Sequence, residues 1–414
     1  MSWYRLIVII SIVFAVSLQA KELMNPSDDE LVIRGLLYEE YKSYENARQV
    51  YAKLFDTTNA EVYLFKEARS SLLGRTHMIE SIQRLKSWDT AHPNTLESKR
   101  LLIPLYLTSN QIELAKSEAE YLVERSSTPL DLELASNPFL YSGEFNRALA
   151  LLKKVYEIQP KEAVLLRMVD IMDEYTQDRK RAIQLLETHR RMNISSNDVY
   201  VKLLVLYSKE KDMDGLLETY KALYERTRDD KILAKIIDTY AYKKDTLSAI
   251  AFLEKYNVGS DLLYELYKNK KFFDKALLLA EKKYKETKNA KWLAERGILI
   301  FEQSKDKNDT KMIQNVVSIF DKALHLGVDD SIYLNYYGYT LIDYDIDVKK
   351  GMKIIENALK QQPNNTYYLD SLAWGYYKLH KCAKAYQFMK RVVDEEGLEE
   401  KEILEHWNII KVCK

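Results

Sequence analysis

The groups that could do chemistry are few and far apart. Cys382 and Cys413 are the only two cysteines in 414 residues and stand 31 positions apart, whereas redox work usually uses a close pair such as C-x-x-C. The six histidines, His77, His92, His189, His325, His380 and His406, show neither H-x-x-x-H nor H-E-x-x-H spacing. Two cysteines make no zinc ribbon, and a group of His380, Cys382 and His406 is too small a ligand set, so no metal site is expected. No two glycines lie closer than eleven residues, which leaves no P-loop and no dinucleotide fingerprint, and G-x-S-x-G is absent. The acidic runs at 28–30 and 394–400 read as solvated helix ends. In "NNTYYLD", Asn365 or Thr366 reads as a helix cap. The expectation is a non-enzymatic chain with no catalytic residues and no small-molecule cofactor.

Composition narrows the partner and the fold. Sixty-two basic residues balance 62 acidic ones, and a zero net charge argues against nucleic acid, whose binders neutralise phosphates with a basic face. Seven prolines and 11 glycines disfavour sheet-and-turn architectures and long linkers. The first twenty residues, "MSWYRLIVIISIVFAVSLQA", differ from all that follows. One early cation, Arg5, precedes an apolar run from Leu6 to Leu18 and a small residue at Ala20. That run suits a signal-peptide core better than a membrane span, which needs about 20 residues. Residues 1–20 are expected to be a cleaved signal peptide or, if retained, an N-terminal anchor. No cysteine follows that would carry a lipid.

Elements that could position any site must then come from the repeat. Ala47, Ser81, Ala115, Ala148, Ala182, Leu216 and Ala249 recur at gaps of 34, 34, 33, 34, 34 and 33 residues. Four positions later stands a larger apolar residue in most units: Tyr51, Leu85, Leu152, Leu186, Tyr220 and Leu253. Nine positions earlier an aromatic recurs, at Tyr38, Tyr106, Tyr207 and Tyr240. Each unit reads as helix A, a short polar turn and helix B. In the first, Leu36, Leu37, Tyr38 and Tyr41 are assigned to helix A, and Ala47, Tyr51 and Leu54 to helix B. One such hairpin cannot bury both faces, so neighbours must stack. The polar run from Ser304 to Thr310 reads as one lengthened turn.

This pattern resembles the tetratricopeptide repeat family over nearly the whole chain beyond residue 20, most closely in the stretch "LNYYGYTLIDYDIDVKKGMKIIENALKQQPNNTYYLDSLAWGYYKLHKCAKAYQFMKRV". There Gly338, Ala358 and Pro363 match the family's small, small and terminal-proline positions, and Ala373, Tyr376 and Ala385 match in the next unit. The resemblance implies an all-α, right-handed superhelical solenoid of stacked helix–turn–helix repeats. About eleven repeats fit residues 21–398, with residues 399–414 as a capping helix. It is similar to exported bacterial members, which implies a protein or peptide partner in the cell envelope. The location expected is periplasmic or secreted, with membrane attachment only if residues 1–20 are retained. In the family, groove-facing residues lie at fixed steps along helix A. Carried over, these are Asn335, Tyr339, Asp343, Asp370, Trp374, Tyr377 and Lys378, although aromatics at helical spacing also serve packing between repeats. Asp370 stands where the family's chaperone-tail binders place a cation or asparagine, which disfavours a C-terminal carboxylate as ligand. An inner-membrane-anchored assembly factor and a binder of cell-wall or exported polysaccharide are the alternatives.

Cys382 falls at the start of the last helix B, and "EEKEILEHWNIIKVCK" reads as one more helix, antiparallel to it and ending at Cys413. Antiparallel neighbours bring those two ends together. A disulfide is expected in an oxidising compartment, with free buried thiols or a redox pair as alternatives. Closing a loop of that size is worth about 3–4 kcal/mol. Alkylation of freshly isolated protein, denatured without reductant, is expected to label neither cysteine; two reactive thiols would exclude the bond.

Overall fold

Two apolar stripes at helical spacing, broken by a short polar run, make up each period, and in the computed structural model each stripe is an α-helix. The structure describes residues 26–413 except 94, 193 and 194, so the expected signal segment at 1–20 lies outside the described residues. Among the described residues there are 23 helices and no strand. No described helix is long and apolar enough to cross a membrane.

The described residues divide into two compact units, 26–239 and 240–413. In the first, hairpins are formed by α1 (Asp28–Glu40) with α2 (Tyr44–Thr58), and by α3 (Glu61–Gly74) with α4 (Met78–Ala91). There follow α5 (Leu96–Thr108) with α6 (Ile112–Arg125), and α7 (Pro129–Tyr141) with α8 (Phe145–Ile158). Next come α9 (Glu162–Glu174) with α10 (Arg179–Met192), and α11 (Asn197–Lys209) with α12 (Met213–Thr227). The division falls inside α13 (Asp230–Tyr242). The second unit continues with α14 (Thr246–Tyr256), α15 (Ser260–Asn269), α16 (Phe273–Thr287), α17 (Lys291–Gln303) and α18 (Thr310–His325). It ends with α19 (Ser331–Asp343), α20 (Val348–Gln361), α21 (Thr366–Lys378), α22 (Cys382–Glu396) and α23 (Lys401–Ile410).

Odd-numbered helices are the A helices and even-numbered ones the B helices. Besides its hairpin partner, an A helix touches the next A helix: α3 meets α5, α5 meets α7 and α9 meets α11 in the first unit. In the second, α19 meets α21 and α21 meets α23. This is tetratricopeptide-like architecture.

The recurring small residues are where the helices come close. Ala47, Ser81, Ala115, Ala148 and Ala182 are fully buried, and Ala249 nearly so. Leu216 is the exception: it is half-buried, and the close approach passes to Gly215, where a Cβ would lie 2.2 Å from the Tyr207 ring. Leu36 and Leu37 lie on α1 as expected, on its exposed side, while Leu31 and Gly35 face inward. At the crossing of α19 and α20 backbone faces backbone: a Cβ on Gly351 would stand 2.6 Å from the Gly338 carbonyl oxygen.

Most turns between A and B helices hold one residue at φ near +55°, at Lys42, Asn110, Gln177, Lys211, Lys244, Lys271, Asp345 and His380, with Gly143 as the glycine version; the α3–α4 turn holds two, Arg75 and His77. Asn365 caps α21 by accepting from the Tyr367 and Tyr368 amides, whereas Thr366 donates to Glu396. The lengthened turn is residues 304–309, held by Lys307, whose Nζ donates to the Phe301 carbonyl.

One buried group opposes stability. Glu67 on α3 is fully buried, with Arg84 Nε 3.0 Å away and the Ser70 and Ser81 hydroxyls unpaired among the described residues. Burial pushes its carboxyl up to about 7, against the nearby Arg84 and Arg48 charges. A carboxyl that holds its proton more tightly when folded costs stability as pH rises from its unfolded value through 7. Glu67→Gln is therefore expected to raise stability by about 1–3 kcal/mol at pH 8, with the gain fading towards pH 5, as thermal melts across that range would show.

Candidate functional site

Side chains four apart on a helix share a face, and this places Asn335, Tyr339 and Asp343 in one row on α19. Tyr367, Asp370, Ser371, Trp374 and Lys378 occupy the corresponding side of α21, and Glu402 and His406 that of α23. The α17 end adds Phe301 and Glu302. Together these A helices enclose a cavity of about 380 Å³, lined also by Tyr336, Thr340 and Tyr344.

The network around the cavity is specific. The Trp374 indole Nε1 donates to Asp343 Oδ1 at 3.0 Å, and its ring stacks on His406 at 4.2 Å and on Tyr377 at 4.9 Å. His406 Nδ1 donates to the Asp370 carboxylate, 2.9 and 3.0 Å from its oxygens. The Tyr339 hydroxyl donates to Glu402 and lies 3.4 Å from His406 Nε2. Lys378 Nζ donates to the Asp343 carbonyl at 3.0 Å and to Asp345 at 2.7 Å. Burial pulls the His406 imidazole down, but the hydrogen bond and charge of Asp370, with Glu402 and Asp343 nearby, outweigh it, and the net shift is upward. Burial and the bond to Glu402 push the Tyr339 phenol up.

Of the residues carried over from the family, Asn335, Tyr339, Asp343 and Asp370 line one cavity. Trp374, Tyr377 and Lys378 do not: Trp374 is buried, and the other two are held by the stacking and charge contacts just described. Sequence reading misses Glu302, Tyr336, Tyr367 and, above all, Glu402 and His406 as groups of this site, because it places α23 as a cap and not as a wall. The one signal was the i,i+4 spacing of Glu402 and His406 opposite the aromatic row of α21.

Cys382 and Cys413 are disulfide-bonded, with Cα atoms 5.5 Å apart. Gly397, at φ +77°, follows α22, and a short segment leads into α23. The bond therefore joins the start of α22 to the end of α23, and holds Glu402 and His406 against α19 and α21.

No protein-family model matches this chain, and no curated protein matches it. Solved structures similar to it include the APC/C hetero-tetramer Cut9-Hcn1, at 11% identity over 95% of this chain and 92% of that one, with a TM-score of 0.36. Naa15/Naa10 bound to HypK-THB gives 15% identity over 92% and 67%, with a TM-score of 0.35. YrrB, a TPR protein with an unusual peptide-binding site, gives 13% over 46% and 99%, with a TM-score of 0.34. At these scores the neighbours carry nothing about ligands to this chain.

The raised His406 pKa has a direction that can be measured. Its stabilising effect is fully present below its unfolded value near 6.5 and is lost as pH rises through the higher folded value. His406→Ala is expected to cost about 3 kcal/mol below pH 6.5, since it leaves Asp370 buried without its cation. The gap between the melts of wild type and variant should narrow as pH rises above 6.5 without closing, because the stacking on Trp374 lost with the ring does not titrate.

Proposed function

We propose that this chain is a non-enzymatic scaffold that binds a protein partner on the A-helix face of its second unit. The observation that carries the reading is the cavity of about 380 Å³ walled by successive A helices. It combines aromatic faces with fixed hydrogen-bonding groups, the mixture that suits recognition of a peptide or helix. The groups gathered there orient one another and can bind; the Tyr339 hydroxyl beside His406 donates its hydrogen bond to Glu402 and its phenol is pushed up, which leaves it a weak nucleophile and favours a scaffold over an enzyme.

The compartment belongs to the same proposal. A signal-like segment at 1–20 and the Cys382–Cys413 bond both favour an oxidising location outside the cytoplasm, such as the periplasm of a bacterial envelope. Lys21 as the mature N-terminus would exclude the anchored alternative. A polysaccharide ligand is less favoured, because Trp374 and Tyr377 stack inward and do not form an open platform.

Tyr367 is 55% exposed at the cavity, while Lys360 on α20 is exposed elsewhere. With a photo-reactive amino acid at position 367, in-cell cross-linking is expected to capture one dominant envelope protein, and position 360 is expected not to. Capture of nothing, or of the same proteins from both positions, would refute this reading.

A further inference from the structure

The cavity offers an incoming group many acceptors and few donors. Four carboxylates reach it, from Glu302, Asp343, Asp370 and Glu402. Three of them are held by neutral donors: the Tyr336 hydroxyl for Glu302, the Trp374 indole for Asp343 and the Tyr339 hydroxyl for Glu402. A neutral donor fixes a carboxylate without cancelling its charge, and each carboxylate can accept several hydrogen bonds. The cations nearby are His406 on Asp370 and Lys307, 3.9 Å from Glu302. Lys378 is turned away to the Asp343 carbonyl and Asp345.

Hydrogen-bond accounting gives an independent sign. The side-chain oxygen of Asn335, a cavity residue, is buried and has no donor among the described residues. Within residues 240–413 it is the one such buried side-chain atom among those described. A buried acceptor without a donor is costly, and a ligand that supplies the N–H removes that cost. The walls are also aromatic, with Phe301, Tyr336 and Tyr367 among them, and ring faces attract cations.

Uncancelled negative charge, a spare acceptor and aromatic faces together complement a planar cation that carries several N–H donors. Resting on the scaffold reading above, we propose that the cavity takes an arginine side chain of the protein partner. Its guanidinium is shared between the Asp343 and Glu402 carboxylates and the Asn335 oxygen. Five donors in one plane meet several acceptors at once, and the same plane stacks on a tyrosine ring, which an ammonium point charge does not do. Glu402 reaches the cavity only because α23 is docked. Asp370, His406 and the Cys382–Cys413 bond are therefore positioning groups for this site.

The test is calorimetric titration of the oxidised, full-length protein with acetylated and amidated Gly-Gly-Arg-Gly-Gly, and with its citrulline and lysine counterparts. Citrulline keeps the shape and loses the charge. The arginine peptide is expected to bind at least about tenfold more tightly than either counterpart, with affinity falling as salt rises. Glu402→Gln is expected to weaken it by about tenfold with melting temperature and disulfide unchanged, a pattern that a purely structural role for Glu402 would not produce. Equal binding of citrulline, no saturation by the arginine peptide at about 10 mM, or an unaffected Glu402→Gln variant would each overturn the proposal. Equal binding of lysine would overturn the guanidinium assignment, and tighter binding of free spermidine would overturn the peptide as its source. If position 367 captures the same partner in wild type and Glu402→Gln, the scaffold stands and the arginine site falls. If it captures none, the scaffold itself falls, whatever the peptides do.

Discussion

Polar contacts that cross from one A helix to the next fix the register on which each unit depends. In the first unit, Arg100 on α5 grips Asp131 on α7 through two bonds of 2.7 and 2.8 Å, and Lys209 on α11 reaches the buried Asp173 on α9 at 2.6 Å. In the second, Lys268 on α15 meets Glu295 on α17 at 3.0 Å, and Trp374 on α21 meets Asp343 on α19 at the same distance. Apolar packing between helices tolerates small slides, whereas a buried charged contact loses its partner if the helix shifts. Asp131 shows how firmly such a contact can hold: it is fully buried, and the Arg100 hydrogen bonds keep its carboxyl down at about 2. Groups presented along an A-helix face are thereby held at defined spacings before any ligand arrives.

The last helix obeys the same rule. His406 on α23 bonds Asp370 on α21 just as earlier A helices bond their predecessors. In this sense α23 takes the place of a further A helix, and a disulfide ties its end to the start of α22. The face formed by α17, α19 and α21 gains a fourth wall carrying a carboxylate and an imidazole.

Much of this was legible in the sequence, and the failures have physical reasons. The period of small residues showed through because close helix packing excludes large side chains at one position per hairpin, as at Ala148 and Ala182. It misled at Leu216, because Gly215 one step earlier makes the approach to Tyr207. The cysteine pair could be read because both ends of the loop fall at helix termini. Turn conformation could not: left-handed residues such as Lys42, Lys211 and Lys271 are not the glycines and asparagines by which such turns are usually recognised. Half of the cavity could be read from the spacing along α19 and α21. The other half required a contact between Tyr339 and Glu402, 63 positions apart, which local periodicity does not encode. The buried charge of Glu67 was likewise invisible, because a glutamate on a helix reads as solvated until its neighbours are known.

The double anchorage of α23, by residues 397–400 at one end and Cys413 at the other, has a consequence for competition. A segment tethered so closely is present at its docking face at an effective concentration in the millimolar range or above. A free helix of similar sequence, at the micromolar levels usual for cellular proteins, cannot displace it by mass action. Whatever binds this face meets α23 as fixed terrain, so selectivity among candidate partners is decided by the shape and charge of the space that α23 leaves open.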